Sequence, residues 1–480
     1  MKGRLPRKWD FETEVAVIGA GAAGPTVAIS AHSAGAKVLI LEKMPKPSGD
    51  ISISGGCVYA ADTSVQRKLR IKDSAERMYD LYVAACPKAN RKTKEKMRVI
   101  ANGSADAIEW LSRLGVKFPA KNGAPGLTHG GLELLPEYAA VVPPVPGAHA
   151  CEGGGKTMHE ILIKRLREKG IKILTEMRAR ELISDIHGRI IGIKAQYRGK
   201  EAAIRAKRSV VICSGHFAHS KKLIDLYLPE YKTFPTFTAD GLEGDGLIMA
   251  QEHGAAVANI SDCRVNIGMP YNKGRKALMI SRWCPCILVN KGGKRFINDH
   301  AGYGPLARAI IEQEGSMCFV IFDELTRKTR KGNILHPYLS LDLSTEIEKG
   351  LVKQASTIEN LAKEIGVNAT ALEVTVRKYN ENARLGKDPE FGSVHFLEPI
   401  CHPPFYAAKG VPAIGSPTGG LVTNLAGQVL DVFGKAIPNL YGVGAVTSVY
   451  PGYPGSGSHF ANIFVFGRII GKNAANNPLL

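Results

Sequence analysis

The stretch EVAVIGAGAAGPTVAISAHSAGAKVLILEK, from Glu14 to Lys43, decides the fold. It contains two short apolar runs, EVAVIG and KVLILE, which are separated by a glycine turn and a helical segment. Continuous apolar runs of this length are typical of parallel strands that are covered on both faces. We expect the helix between them to begin at the third glycine. The stretch therefore predicts a βαβ unit of an α/β dinucleotide-binding fold.

The glycine turn has the spacing of a dinucleotide fingerprint. Its first glycine permits a tight turn, its second lets the backbone approach a pyrophosphate, and its third lets the helix pack closely against the strand. The N-terminus of the predicted helix faces the phosphate charge. An acidic residue ends the second strand, where a carboxylate hydrogen-bonds a ribose hydroxyl. These features predict nucleotide binding by Gly19, Gly21, Ala23, Gly24 and Glu42.

The pattern of strands and helices changes along the chain. Up to residue 262 it continues as predicted helices and apolar strands, whereas residues 263–411 carry fewer parallel-strand runs and two well-marked helices. Ser356 and Glu359 are expected to form a capping box for the first of these helices. The segment PNLYGVGAV then returns to the apolar strand type. We predict a discontinuous Rossmann-type domain, residues 1–262 and 412–480, with an inserted α+β catalytic (cap) domain over 263–411.

The composition narrows the possible functions. The 480 residues include 63 Lys and Arg against 44 Asp and Glu, a formal charge of +19, and the basic residues are interleaved with acidic ones. Because no nucleic-acid-binding motif accompanies this charge, an anionic small molecule is the expected partner. The sequence has no run of about 18 apolar residues, so no membrane span is predicted. Since no signal-peptide pattern is present either, we expect a cytoplasmic protein.

The cysteines predict neither a disulfide framework nor a metal site. All nine are scattered, and the close pair Cys284 and Cys286 lacks the repeated spacing of a zinc site. No haem-attachment or ferredoxin-type cluster is present in the sequence. We expect reduced thiols and no bound metal.

The segment after the βαβ unit carries a family resemblance. EKMPKPSGDISISGGCVYAADT resembles the FAD-dependent fumarate reductase and 3-ketosteroid dehydrogenase superfamily, and so do VVICSGHF, GLEGDGLIMA, ILVNKGGKRFIND, PPFYA and GGLVTNLAGQVLD, in the order the superfamily has them. The resemblance covers essentially the whole chain and implies FAD as the cofactor. The resemblance also implies further cofactor-binding residues, namely Lys43, Ser54, Gly55, Gly56, Gly215, Asp245 and Gly444.

Two departures from the superfamily pattern concern the flavin. Members with a covalently attached flavin use a histidine in the loop after the first βαβ unit, and none lies between Lys43 and Gly56. The resemblance therefore implies non-covalent FAD. The superfamily often has Gly-Glu after its last strand, where this chain has Gly444 and Ala445, so the contact of that glutamate with the ribityl chain is not expected here.

The dicarboxylate clamp of the fumarate reductase branch is incomplete in this chain. Arg282 stands where that branch has its proton-donating arginine, in the pattern R-G-x-G-x-I-L-V-N. The upstream His-Pro-Thr and Thr-Glu residues are replaced by ALMIS. The arginine of N-R-L-G-G-N falls at Pro454 when counted back from the shared Phe-Gly at Gly467.

The ketosteroid branch matches better. YPGSG, from Tyr453 to Gly457, precedes FVFG with the spacing of that branch, and Tyr303 follows Asn298 at the spacing of its catalytic tyrosine. The resemblance implies that the Tyr453 hydroxyl and the Gly457 N–H hold a ketone oxygen, which acidifies the neighbouring C–H. Tyr303 would then take the proton. Tyr138 is a candidate helper of this base.

These residues predict an FAD-dependent desaturase of a cyclic ketone, either a 3-oxosteroid or a smaller, possibly carboxylated, oxocyclohexane. Arg282 would lower the pKa of the base or bind a substrate carboxylate. The electron acceptor would be oxygen, a quinone or a carrier protein. Two alternatives remain: an enoate reductase that uses Arg282 as proton donor, and a flavin-binding protein without turnover.

Overall fold

A computed structural model describes residues 5–131, 135–271, 276–280, 284–329, 339–340 and 342–479. In chain order the strands are β1 (Phe11–Ile18), β2 (Val38–Leu41), β3 (Cys57–Tyr59), β4 (Gly126–Thr128), β5 (Ala148–Ala150), β6 (Lys172–Leu174), β7 (Met177–Ser184), β8 (Ile190–Tyr197), β9 (Lys200–Ile212), β10 (Val257–Ala258), β11 (Cys263–Pro270), β12 (Ala277–Met279), β13 (Ile287–Val289), β14 (Cys318–Asp323), β15 (Val352–Ala355), β16 (Phe405–Pro417), β17 (Gly420–Leu421), β18 (Gln428–Leu430) and β19 (Ala436–Gly442).

The helices are interspersed with these strands along the chain. They are α1 (Ala23–Ser33), α2 (Ser64–Lys68), α3 (Ala75–Ala85), α4 (Arg91–Arg113), α5 (Pro136–Ala139), α6 (Gly154–Glu168), α7 (Lys221–Tyr227), α8 (Asp245–Gln251), α9 (Tyr303–Ile311), α10 (Glu324–Thr329), α11 (Ser344–Glu348), α12 (Ile358–Ile365), α13 (Ala369–Arg384) and α14 (Ser458–Asn476).

The larger sheet is built on the opening βαβ unit. Its order is β18-β19-β9-β1-β2-β6, and the β7–β8 hairpin joins it through β8 and β9. β1 pairs in parallel with β2 on one side and with β9 on the other, and β19 and β6 extend these pairs in parallel. The residues of β2 are all buried, as expected for a strand covered on both faces. The predicted Rossmann-type α/β fold is confirmed.

A second sheet contains the strands between β11 and β16. Its order is β12-β11-β16-β14-β13, with β15 also paired to β16, and all these pairs are antiparallel. Helices α12 and α13 bury their apolar residues in the same cluster as β13 and the start of β16. This is the expected inserted α+β part. Its predicted limits, 263 and 411, stay a prediction, and β16 itself runs on to Pro417.

The last helix, α14, lies directly against α1. A Cβ atom at Gly471 would come within 2.5 Å of the Val27 carbonyl oxygen, and one at Gly467 within 2.9 Å of Thr26. Because these positions are glycines, the two helices approach closely and bury most of α14. This packing fixes where the N-terminus of α14 lies, beside the end of the parallel strands.

The predicted cap of α12 was wrong by one residue. Thr357, not Ser356, is the N-cap, and its hydroxyl accepts a hydrogen bond from the Asn360 N–H. Both residues have a hydroxyl suited to capping, so the sequence pattern did not separate them.

Candidate active site

A pocket at the carboxyl ends of the parallel strands contains the glycine turn. Gly19 has φ +103°, and a Cβ atom there would lie 2.5 Å from the Cys213 carbonyl oxygen. A Cβ at Gly24 would overlap the Gly19 carbonyl oxygen. The carboxyl ends of parallel strands are where α/β folds bind nucleotides. These two glycines are therefore required for the turn and for the packing of α1 on β1.

Glu42 shapes the same pocket from the end of β2. Its Oε2 accepts the Ala20 N–H at 2.9 Å and its Oε1 accepts the Met44 N–H at 2.8 Å. Burial raises the pKa of Glu42, and these hydrogen bonds oppose the rise. The carboxylate thus ties the glycine turn to the end of the second strand, and each oxygen keeps a lone pair for a further donor.

Charged side chains form one wall of the pocket. Asp245, at the start of α8, accepts hydrogen bonds from Lys43 at 2.8 Å and from Arg178 at 2.6 Å. The Arg178 Nε and the Ser214 Oγ are buried and have no partner among the described residues. Buried donors without partners are costly unless a ligand meets them. The wall therefore offers polar groups to a bound molecule.

Asp50 borders both this pocket and a second, larger cavity. Its Oδ2 lies 2.9 Å from the His216 Nε2, and its Oδ1 accepts the Ala239 N–H at 2.8 Å. Burial alone would raise the pKa of Asp50, but His216 and the backbone hydrogen bond lower it below its usual value. Asp50 is therefore a fixed negative charge where the two spaces meet.

The second cavity has a volume of about 760 Å³ and contains most of the predicted catalytic residues. Its walls come mainly from the loop before β3, residues 122–131 around β4, the start of β11, the start of α9 and the N-terminus of α14. The residues that line it include Ser54, Gly55, Gly56, Phe237, Arg264, Tyr303, Ala445, Tyr453, Gly457 and His459.

Tyr303 and Tyr453 meet inside this cavity. Their rings stand edge to face with centroids 5.2 Å apart. The Tyr453 ring also lies beside the His459 ring, with centroids 5.6 Å apart. Two phenol groups and an imidazole thus share one wall, which gives the cavity groups that donate and accept protons.

Arg264, on β11, brings a cation to this wall. Its Nη1 donates to the Tyr453 hydroxyl at 3.4 Å. Burial raises the pKa of Tyr453, and the charge of Arg264 opposes that rise. Burial lowers the pKa of Arg264, but Tyr453 and Tyr303 outweigh it and the net change is a rise. Arg264 is therefore charged and adjacent to both tyrosines.

Gly457 is the N-cap of α14 and has φ +87°. Its carbonyl oxygen accepts the Tyr59 N–H at 3.1 Å and the Ala461 N–H at 2.9 Å. A Cβ atom at this position would lie 2.5 Å from the Tyr59 nitrogen. The partial positive charge of a helix N-terminus favours an anionic oxygen, so the start of α14 is suited to hold one in the cavity.

His459 is the second residue of the same helix. Burial, followed by the charge of Arg264, lowers the pKa of His459 to about 3. Its Nε2 has no hydrogen-bond partner within the described part of the chain. The imidazole is therefore neutral and keeps one nitrogen for a bound molecule.

The family model described as an FAD binding domain matches residues 14–460. The chain belongs to this FAD-binding family. FAD is the cofactor, and the predicted resemblance to the superfamily is confirmed. The dinucleotide pocket fits FAD. It has a glycine turn and buried donors without partners among the described residues, and it borders the larger cavity at Asp50. The non-covalent attachment of FAD stays a prediction.

Relatives of this FAD-binding chain include reductases and dehydrogenases. A probable fumarate reductase of Shewanella frigidimarina is 29% identical over 97% of this chain and 75% of that protein. A 4-oxocyclohexanecarboxylate 2-dehydrogenase of Sinomonas cyclohexanicum is 27% identical over 96% of this chain and 92% of that protein. The chain is accordingly an FAD-dependent oxidoreductase.

A solved structure supports the same family placement. The 3-ketosteroid Δ4-(5α)-dehydrogenase of Rhodococcus jostii RHA1 is 28% identical, with a TM-score of 0.77, and the match covers 98% of each chain.

Most predicted FAD-binding residues lie around the two spaces. The dinucleotide pocket is lined by Gly19, Gly21, Ala23, Glu42, Lys43, Gly215, Asp245 and Gly444, and the larger cavity by Ser54, Gly55 and Gly56. Gly24 acts from behind, through the packing of α1. The individual roles of these residues stay predictions.

One predicted catalytic residue lies away from the cavity, and another falls outside the described residues. Tyr138, on α5, packs against Ala85 and Leu135 and does not line the cavity. Burial, followed by the charge of Glu137, raises the pKa of Tyr138, which disfavours a role as a proton acceptor. Arg282 lies outside the described residues.

Three features of the site were not predicted from the sequence: Arg264, Arg178 and the Asp50–His216 pair. Arg264 stands in a strand, CRVNIGMP, whose neighbours gave no motif. It reaches Tyr453 because β11 pairs with the end of β16, a tertiary contact that local pattern does not reveal.

Among the described helices, none combines the length and apolar character that a membrane crossing needs. Within the described ranges, no group of three or more His, Cys, Asp or Glu side chains is placed to hold a metal ion.

Proposed function

We propose that the protein is an FAD-dependent desaturase that introduces a C=C bond next to the carbonyl of a cyclic ketone. The observation that carries the proposal is the meeting of Tyr303 and Tyr453, 5.2 Å apart by ring centroids, in a cavity that borders the FAD pocket at Asp50. Desaturation needs a group that polarises the ketone, a group that takes a proton and an acceptor for a hydride.

Tyr453 and Gly457 are suited to polarise the ketone. Tyr453 lines the cavity, and the Gly457 N–H lies at the N-terminus of the 19-residue helix α14. Hydrogen bonds from both would stabilise the negative charge that develops on the ketone oxygen when the neighbouring C–H is broken. Arg264 strengthens this effect because its charge makes the Tyr453 hydroxyl a better donor.

Tyr303 is suited to take the proton. An ordinary tyrosine has a pKa of about 10, so a tyrosine base needs a nearby cation to favour its ionised form. Arg264 supplies that cation. Burial lowers the pKa of Arg264, but Tyr453 and Tyr303 raise it, and the net change is a rise, so the guanidinium is charged. FAD, when bound, supplies the acceptor for the hydride that leaves the adjacent carbon. The substrate thus loses one proton and one hydride and becomes an enone.

The relatives support a ring ketone as the substrate. One is named for 4-oxocyclohexanecarboxylate and one for a 3-ketosteroid. For this chain we accordingly propose a 3-oxosteroid or a smaller oxocyclohexane, with an acceptor such as oxygen, a quinone or a carrier protein to reoxidise FAD. We also propose that the enzyme acts in the cytoplasm.

A second candidate is an enoate reductase. The charge of Arg264 in the cavity and the similarity to a probable fumarate reductase favour it, and Arg282 is its predicted proton donor. It differs from the first candidate in direction: an unsaturated acid would take hydride and proton from the reduced enzyme.

Two anaerobic experiments separate these candidates. In the first, the oxidised enzyme is mixed with cyclic ketones, and the desaturase proposal expects loss of the oxidised-flavin absorbance together with an enone product. In the second, the chemically reduced enzyme is mixed with unsaturated acids such as fumarate. Rapid reoxidation there, with no ketone reducing the flavin in the first experiment, would favour the reductase and contradict the desaturase.

A further inference from the structure

The guanidinium of Arg264 is held in the cavity without an anionic partner. Its Nη1 donates to the Tyr453 hydroxyl at 3.4 Å and its Nη2 to the Gly415 carbonyl at 3.5 Å, both long hydrogen bonds. Its Nε is buried and has no partner among the described residues. No described carboxylate forms an ion pair with it. The charge is therefore left uncompensated at short range.

Two aromatic rings and a glycine surround the guanidinium of Arg264. Its Cζ lies 5.1 Å from the Tyr453 ring centre and 5.5 Å from the Phe237 ring centre. A side chain at Gly415 would come within 2.8 Å of the Arg264 Nε, so the glycine leaves room for it. Two aromatic rings and a glycine thus fix a planar cation at the cavity wall.

The other titratable groups that face Arg264 do not neutralise it. Asp50 contributes to the field at Arg264, but its oxygens are engaged by His216 and the Ala239 N–H. His459 is neutral, because burial and Arg264 itself lower the pKa of His459 to about 3. Tyr453 and Tyr303 supply hydroxyl groups and no carboxylate. A buried guanidinium with no carboxylate at hydrogen-bond distance is a place where a ligand can supply that carboxylate.

We propose that Arg264 binds a carboxylate of the substrate, so that the substrate is a small cyclic ketone bearing a carboxylate and not a neutral steroid. The inference rests on the proposed function for the ketone part. Arginine suits this task because its planar N–H groups match the two oxygens of a carboxylate. Tyr453 then holds the ketone oxygen while the neighbouring guanidinium holds the acid group, and together they set the orientation of the ring.

The first test compares an acid with its ester on the unaltered enzyme. The ratio kcat/KM is measured for the ring acid 4-oxocyclohexanecarboxylate and for its methyl ester, which keeps the ketone and loses the charge. Hydrogen bonds to charged groups predict a preference for the acid on the order of 10- to 100-fold. Equal values for acid and ester would overturn the proposal without any variant.

The second test removes the cation. In Arg264→Gln the acid-to-ester ratio should fall to about one, whereas Arg264→Lys should keep part of it because the charge remains. The exposed Arg180 on β7 gives a matched control, and Arg180→Gln should leave the ratio unchanged. If Arg264→Gln lowers both rates and keeps the ratio, Arg264 acts through Tyr453 alone and the carboxylate site is wrong. FAD content and the melting temperature of each variant check that it folds.

A binding measurement separates this inference from the proposed function. Cyclohexanecarboxylate has the acid group and no ketone, and its binding to the FAD-loaded enzyme is followed by isothermal titration calorimetry. We expect binding that weakens at least tenfold in Arg264→Gln. If that result appears while no ketone reduces the flavin, the anion site stands and the desaturase proposal fails. If ketones reduce the flavin but the acid binds equally to both proteins, the anion site fails and the desaturase proposal stands.

Discussion

The Nη1 of Arg264 lies 3.4 Å from the hydroxyl oxygen of Tyr453, within the cavity that borders the FAD pocket. This contact joins β11 of the second sheet to the loop that precedes α14. Because of it, the tyrosine proposed to hold the ketone oxygen and the cation proposed to hold the carboxylate are next to each other. The geometry of both substrate groups therefore depends on how the second sheet meets the FAD-binding sheet.

Replacing Tyr303 by phenylalanine tests the proton acceptor. The ring packing against Tyr453 is retained, but the oxygen that takes the proton is lost, so kcat should fall on the order of 10²- to 10⁴-fold. FAD content and cyclohexanecarboxylate binding should not change. Tyr227→Phe, in the apolar cluster around α7, is the matched control. Full turnover in Tyr303→Phe would exclude this tyrosine as the base.

Gly457→Ala tests the start of α14. The added Cβ would lie 2.5 Å from the Tyr59 nitrogen and the residue would have to keep φ +87°, so both the free energy of unfolding and turnover should fall. Gly188→Ala is the matched control, because φ there is +76° and nothing lies within 4 Å. The left-handed conformation alone costs about 1–2 kcal/mol.

Urea unfolding of the two glycine variants measures the difference. We expect Gly457→Ala to lose clearly more stability than Gly188→Ala. Equal losses, with ketone turnover intact in both, would show that the close approach to Tyr59 has no consequence for the site.

Gly24→Ala tests the link between helix packing and FAD binding. Its Cβ would overlap the Gly19 carbonyl oxygen, so α1 must move away from β1. Overpacking of this kind typically costs about 1–3 kcal/mol. Gly35→Ala adds a Cβ in open space at φ +92°, so it carries left-handed backbone strain without any overlap and serves as control. The ratio of FAD to protein after purification should drop in the first variant and stay near one in the second.

His459 should make stability depend on pH. Burial lowers the pKa of His459 to about 3, against about 6.5 in an unfolded chain. The unfolded chain therefore binds one more proton between these values, so the free energy of unfolding falls as the pH drops from 6.5 towards 3. The slope is at most about 1.4 kcal/mol per pH unit.

The replacement His459→Phe removes this contribution. Urea unfolding of both proteins between pH 4.5 and 6.5 should show a shallower loss of stability in the variant. Identical slopes would mean that His459 is protonated as readily in the folded protein as in the unfolded one.

The start of the FAD-binding fold could be predicted from the sequence because the patterns that indicate it are local. The two apolar runs and the glycine spacing lie within the stretch from Glu14 to Lys43, and β1, α1 and β2 form there. The family resemblance also led to Tyr303 and Tyr453, which the structure places together.

The remaining site residues depend on tertiary contacts. Arg264 reaches the cavity through the pairing of β11 with β16, and Asp50 through a contact with His216 far along the chain. Arg264 stands in no motif, whereas Asp50 and His216 lie within EKMPKPSGDISISGGCVYAADT and VVICSGHF, and neither segment alone reveals that the two residues pair. Tyr138 was predicted to assist the catalytic base from its region of the sequence alone. In the structure it packs against Ala85 and Leu135 and does not line the cavity.

The central claim is that the enzyme desaturates a ring ketone held by Tyr453. The most direct measurement is anaerobic mixing of the FAD-loaded enzyme with 4-oxocyclohexanecarboxylate, followed by flavin absorbance and product analysis. We predict loss of the oxidised-flavin absorbance with formation of the enone, and a rate that is 10²- to 10³-fold lower in Tyr453→Phe, on the order expected for a lost oxyanion donor. An oxidised-flavin spectrum that stays unchanged with this acid, its ester, simple cyclohexanones and steroid ketones would contradict the claim.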